Sequence, residues 1–440
     1  MSAAVPIGGR DAAPLMHRFR STVGEHLLVI PYSRIFDIEN GADLSGIDIE
    51  SLAAPGDHDD PLDRIDEPAP QSISLNVSSS CNLACHYCYA ARGNFGGAQP
   101  APMAWPTAQA AIDRLVQGAN PAAPLTIGFL GGEPFVNRGL IHRAVTYAAE
   151  MALQRRLDIR YSVTTNGTLL QAADIALLQR HPFAVTVSLD GTAGIHDLQR
   201  PRYATGKGSW ADAVAHVAPL LAAPGRAKIA ARVTVTRNHL DVAAALDALA
   251  GLGFPEVGFA PLRAGPPGSG ALRDEDWPGY LAALVAASRR EFKRLRRGLP
   301  LRLTNLAVAL KQLHKGAASP FPCGAGGGYF SVAASGRWYA CHRAIGKTDY
   351  ELGTNDGLNH DLRRDFLQRR HVHAQPECQS CWARYLCSGG CHQEAGSRSA
   401  ASCDFIRGWL SFCLAAYCEL GNERKPRSAI ATPTPEEALS

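Results

Sequence analysis

The distribution of cysteine constrains this chain more than any other feature. Of its twelve cysteines, Cys81, Cys85 and Cys88 sit together and the other nine fall between Cys323 and Cys418, with none from Tyr89 to Pro322. Cysteines kept for packing, where a free thiol acts as a small hydrophobe, would not segregate in this way. The first 25 residues have no continuous apolar stretch behind a basic start, so they do not read as a secretory signal. A cytoplasmic location is therefore expected, where disulfides are rare and grouped thiols point to metal. Two metal-bearing regions joined by a cysteine-free body are the first expectation.

A chain of 440 residues holds two or three domains. The balance of 44 Lys and Arg against 40 Asp and Glu leaves a net charge of +4, too small for a dedicated nucleic-acid binder with its basic stripe. No apolar run reaches the roughly 18 residues needed to cross a bilayer, so neither nucleic acid nor membrane is an expected partner. The basic run from Arg289 to Arg297 reads as a solvated helix face.

The order of elements predicts an α/β fold. Residues 1–51 form an N-terminal β-rich element, with His17–Asn40 as its strands, and the Pro- and Asp-dense stretch 52–70 is a linker. Six short apolar runs follow, at Ile73–Val77, Leu125–Leu130, Ile159–Thr165, Ala184–Leu189, Lys228–Val235 and Glu256–Pro261. Amphipathic stretches such as Gly139–Leu157 separate them, which implies right-handed βαβ units and a parallel sheet, open or curved as a partial barrel, over 71–262. A connecting helical region, 263–322, leads to a loop-rich Cys, Gly and His region at 323–420. The polar tail, 421–440, is expected to be disordered.

The first run leads into SSSCNLACHYCYA. A C-x3-C-x2-C loop can fold three thiolates around one face of a [4Fe–4S] cube and leave the fourth iron open to a substrate or cofactor. Zinc with His86 as a fourth ligand, or buried structural thiols, remain alternatives for this loop taken alone. The second run ends in Gly131-Gly132-Glu133-Pro134, where paired glycines permit close backbone approach and a carboxylate suits an ammonium group. The next two runs end at the polar turns YSVTTNGT and VSLDG, and sites form at such C-terminal strand edges.

The loop, with Tyr87 before its third cysteine, resembles the signature of radical S-adenosylmethionine (radical SAM) enzymes, and Gly131–Pro134 is similar to their GGEP motif. The resemblance covers roughly residues 70–405 and implies a partial (β/α)6 barrel. It also implies S-adenosylmethionine chelated to the open iron held by Cys81, Cys85 and Cys88. Tyr87, Gly131, Gly132, Glu133, Pro134, Thr165, Asn166 and Ser188 are the implied cofactor-binding residues. Arg200, in a His196-Asp197-x-x-Arg200 stretch, is implied to pair with the cofactor carboxylate. No catalytic base is assigned.

The C-terminal spacing, Gly336-x4-Cys341, Cys378-x2-Cys381-x5-Cys387-x3-Cys391 and Cys403, resembles the seven-cysteine SPASM extension. That resemblance implies two auxiliary [4Fe–4S] clusters, one on Cys323, Cys341 and Cys391 and one on Cys378, Cys381, Cys387 and Cys403, hence three clusters in all. No cysteine lies in Gly324–Phe330 to complete the first of these. Cys413 and Cys418 read as packing residues on a terminal helix, Ile406–Leu420.

The implied function is a maturase that takes a hydrogen from a ribosomally made precursor peptide through a 5′-deoxyadenosyl radical. It would install a thioether or carbon–carbon cross-link, with electrons from a donor such as flavodoxin or ferredoxin. Leu28, Ile30 and Ile35 of the N-terminal element are expected to meet the peptide beside a free strand edge. The alternatives are an anaerobic sulfatase-maturing, formylglycine-generating enzyme, and a non-catalytic iron–sulfur or zinc scaffold.

Overall fold

A computed structural model describes residues 14–52, 65, 67–95, 101–316, 318–395 and 398–422. Most of the 52–70 linker and the tail from 423 lie outside the described residues. The chain divides into two compact units. One is Met1–Ile65, Leu306–Cys323 and Gln368–Ser440; the other is Asp66–Asn305 and Gly324–Leu367.

The first unit opens with three antiparallel strands, β1 (Met16–Ser21), β2 (Gly24–Val29) and β3 (Arg34–Ile38). Leu27, Val29 and Ile38 form their core, against which Met16, Phe36, Leu44 and Ile47 pack. Leu28 and Ile30, expected to meet a partner, are instead buried at 1% and 2% exposure, because the sheet is covered on both faces; Ile35 remains half-buried. The His17 ring stacks on Trp382 at 4.0 Å.

The second unit is built on six parallel strands: β4 (Ser72–Ser78), β5 (Leu125–Gly131), β6 (Ile159–Thr165), β7 (Phe183–Ser188), β8 (Lys228–Val235) and β9 (Glu256–Pro261). They lie side by side in chain order, as βαβ winding requires. The crossover helices include α1 (Trp105–Gln117), α2 (Arg138–Arg155), α3 (Ala172–Arg180), α4 (Ala193–Gln199), α5 (Trp210–Ala222) and α6 (Val242–Gly251). After β9 comes α7 (Trp277–Leu295).

Alternation along the strands separates two faces. In β8, Ile229, Ala231, Val233 and Val235 are buried, while Lys228, Ala230, Arg232 and Thr234 point the other way. Register carries that inner face across the sheet, through Ser74, Gly128 and Ser162 at one level and Ser188, Arg232 and Gly258 at another. The inner face is therefore polar.

The sheet is larger than the six expected strands. β10 (Tyr329–Val332) adds parallel to β4, and β11 (Arg337–Tyr339) and β12 (Glu351–Thr354) extend it antiparallel, giving nine strands in the order β12-β11-β10-β4-β5-β6-β7-β8-β9. The stretch taken from the sequence as one cysteine-rich domain thus contributes 324–367 to the second unit and the remainder to the first. Among the described residues no helix is long and apolar enough to cross a membrane.

Candidate functional site

The C-terminal ends of β4 to β7 bring the expected residues together. The β4 loop holding Cys81, Cys85 and Cys88 is clamped by the β5 turn, where Gly132 N donates to Ser78 O at 2.8 Å and Glu133 N to Ser80 O at 3.0 Å. These contacts explain the two glycines. Gly131 has φ +150°, and a Cβ there would lie 2.2 Å from Ser78 O; at Gly132 it would meet Ser80 O at 2.3 Å and Arg92 O at 2.4 Å. All three obstacles are backbone, which cannot swing aside. Gly132→Ala is expected to displace the cysteine loop and cost about four irons per chain, read by iron analysis after anaerobic reconstitution. Gly139→Ala, whose Cβ meets nothing within 4 Å, should load iron normally.

Glu133 is wholly buried, and that burial raises its pKa against the donors around it. Thr165 Oγ1 donates to it at 2.6 Å, Asn166 N at 2.7 Å and Phe135 N at 3.2 Å. The carboxylate thus staples the β5 turn to the end of β6. Asn166 continues the chain of contacts, donating to Asn82 Oδ1 at 3.0 Å and approaching Cys81 Sγ at 3.8 Å.

Cys81 lies close enough to Cys85 and Cys88 to feel their charge, and Cys85 close enough to feel that of Cys88. Desolvation pushes Cys81 up to about 12, with Glu133 and the neighbouring sulfurs adding to it, and Cys85 up to about 11. Cys81 and Cys85 would not ionise side by side unaided, so the donor set fits a cationic core that pays for their deprotonation. Leu83 N and Arg92 N each donate to a sulfur, of Cys81 and Cys88 respectively, at 3.4 Å. His86, the conceivable fourth zinc ligand, is exposed. Among the described residues no three His, Cys, Asp or Glu groups are close enough to hold a single metal ion. A multinuclear cluster, whose irons keep the sulfurs apart, suits these thiols better than one zinc.

Sequence reasoning missed the group that holds this loop from the β7 side. Tyr87 Oη donates to Asp190 Oδ2 at 2.5 Å, and Arg200 Nη1 donates to Tyr87 Oη at 2.5 Å. Thr234 N donates to Asp190 Oδ1 at 3.0 Å. All three side chains are buried, and Asp190 has its pKa raised by that burial, against the charge of Arg200. Asp190 stands in VSLDG, so its place at a strand end was the available signal. The Arg200 Nε is buried with no partner among the described residues, a donor suited to a carboxylate. Asp190→Asn should loosen the cysteine loop and slow cofactor cleavage by about tenfold or more, checked by single-turnover assay of 5′-deoxyadenosine.

In the first unit a second set of thiols converges. Cys378 lies on α10 after α8 (Thr304–Lys315) and α9 (His360–Arg370) in chain order; α10 spans Pro376–Gln379. Cys387 ends α11 (Arg384–Cys387), and Cys403 lies in the first turn of α12 (Ala400–Asn422). Burial raises Cys378 and pushes Cys387 up to about 11, and each feels the charges of Cys381 and Cys403. Arg398 Nη1 donates to Cys378 Sγ at 3.5 Å, and Arg407 bonds Cys381; the sequence reading foresaw neither arginine. Cys323 and Cys391 belong to this unit and Cys341 to the other, where Arg343 N donates to its sulfur at 3.4 Å. Cys413 and Cys418 are buried on α12.

Residues 75–218 match the Radical SAM superfamily. The chain is 27% identical over 347 residues to the serine-type anaerobic sulfatase-maturating enzyme of Klebsiella aerogenes, covering 74% of this chain and 80% of that one. Its fold is similar to that of native anSMEcpe with bound AdoMet and the peptide Cp18Cys, at TM-score 0.65 and 19% identity over 81% of this chain and 100% of that one. It is also similar to Streptococcus suis SuiB bound to its precursor peptide SuiA, at TM-score 0.50 and 15% identity over 76% of this chain and 74% of that one.

Proposed function

The chain contains a radical SAM domain, and on that premise we propose that it is an oxidoreductase that takes a hydrogen from a peptide and leaves it cross-linked between side chains. The observation that carries the reading is the C-terminal strand edge, where the β4 cysteine loop, the β5 turn and the ends of β6 and β7 meet. There Cys81, Cys85 and Cys88 hold the [4Fe–4S] cluster. Tyr87, Gly131–Pro134, Thr165, Asn166, Ser188 and Arg200 hold S-adenosylmethionine. When reduced, the bound pair supplies the 5′-deoxyadenosyl radical. The protein's share is positional: fixed turns keep the reacting carbon beside that radical and exclude water. Electrons come from a flavodoxin- or ferredoxin-type donor.

Two auxiliary clusters complete the set, on Cys378, Cys381, Cys387 and Cys403 and, from the SPASM resemblance, on Cys323, Cys341 and Cys391. Bound there, they would supply an acceptor for the electron left when a substrate radical closes into a new bond. A precursor peptide as substrate is supported by SuiB, whose structure holds one, and by the three-stranded sheet ahead of the barrel. Among the described residues β3 pairs only with β2, so its outer edge suits an added strand. Removing the whole element would strip the cover from α12 and Trp382, so a point change is the better test. Ile35→Asp is expected to weaken binding of a fluorescent precursor peptide about tenfold.

Formylglycine formation is the second reading, favoured by the identity to the Klebsiella sulfatase-maturating enzyme along most of both chains. Co-expression with a candidate precursor peptide separates the two. A cross-link removes two hydrogens and yields a product inert to hydrazide reagents, whereas formylglycine is captured as an aldehyde.

A further inference from the structure

One charged side chain on the inner face has no role in the account so far. Arg232 sits at the middle of β8, level with Ser188 of β7 and Gly258 of β9. It remains open to solvent although protein surrounds it on most sides, the position of a side chain in a concave lumen. A Cβ on Gly258 would lie 3.7 Å from Arg232 Nη1, so the guanidinium rests over an inner-face residue without a side chain. Among the described residues no carboxylate is one of the charged groups that act on it.

The surroundings add positive charge and a spare hydrogen-bonding group. The charge of Arg343 acts on Arg232; enclosure and that like charge lower the Arg232 pKa, against the neighbouring Tyr280. The same empty space above Gly258 is bordered by Thr304, whose Cβ is 3.6 Å from the position a Cβ would take there. The Thr304 hydroxyl is buried with no partner among the described residues. An enclosed guanidinium facing a second cation is costly unless an anion completes it, and a bidentate fork matches a carboxylate.

We propose that Arg232, with the Thr304 hydroxyl beside it, is a specificity-determining subsite that binds an aspartate or glutamate side chain of the peptide next to the residue that loses hydrogen. Its position fits that task. It stands one strand from Ser188, a residue of the proposed cofactor edge, and Arg200 is already available for the cofactor's own carboxylate. The inference rests on the peptide-modifying reading and deepens it.

The test uses the full chain, reconstituted with iron, on an mRNA-displayed library of random peptides, with modified members recovered and sequenced. Wild type is expected to enrich Asp or Glu about tenfold over Asn or Gln at one fixed offset from the modified residue. Arg232→Gln should remove that preference and Arg232→Glu should replace it with Lys or Arg at the same offset. Wild-type products without an acidic preference overturn the proposal, as does a preference that survives Arg232→Gln. So does an Arg232→Gln change confined to the KM for S-adenosylmethionine, which would assign the guanidinium to the cofactor. A wild-type protein that modifies no peptide at all would instead remove the functional reading on which the subsite depends.

Discussion

Replacing Cys81, Cys85 and Cys88 together by Ala is expected to abolish 5′-deoxyadenosine formation, to the level of protein-free controls, while the C-terminal iron stays bound. The reason lies in the loop's place in the fold. These thiols share the edge that carries Glu133, Asn166, Asp190 and Arg200, and no other cysteine stands on the parallel strands or their turns. Iron per chain should fall from about twelve to about eight, since each cube carries four. Cofactor cleavage that persists in this variant would assign the chemistry to other cysteines.

The second large effect is at the C-terminal region. Changing Cys378, Cys381, Cys387 and Cys403 to Ala should again remove about four irons, and it should abolish the modified peptide. The four thiols converge within one unit, and Arg398 and Arg407 already donate to two of them, as hydrogen bonds to cluster sulfurs do. Zinc in place of the lost iron in wild type, found by metal analysis, would contradict the cluster assignment.

The parallel body was legible in the sequence because its strands are short apolar runs ended by polar turns, and the helices between them repeat at their own period. The cysteine loop and GGEP turn were legible because close backbone approach admits few residue types; Gly132, pressed against Ser80 and Arg92, is such a case. What stayed hidden depends on contacts between distant segments. Nothing local in Tyr329–Val332 says that it pairs with Ser72–Leu75, and nothing in Arg398 says that it reaches Cys378. Asp190 looked like turn chemistry because its partners, Tyr87 and Thr234, arrive from the β4 loop and from β8. Leu28 and Ile30 looked available to a partner because alternation does not reveal that both faces of a small sheet are covered.

Hydrogen transfer from peptide to cofactor tests the account most directly. A candidate precursor peptide would be made with one residue type deuterated at a time and turned over by the reconstituted protein, with 5′-deoxyadenosine analysed by mass spectrometry. The account predicts deuterium in 5′-deoxyadenosine for one labelled residue type, matched by loss of hydrogen from that residue in the peptide. Unlabelled 5′-deoxyadenosine from every labelled peptide, with each peptide recovered unchanged, would contradict it.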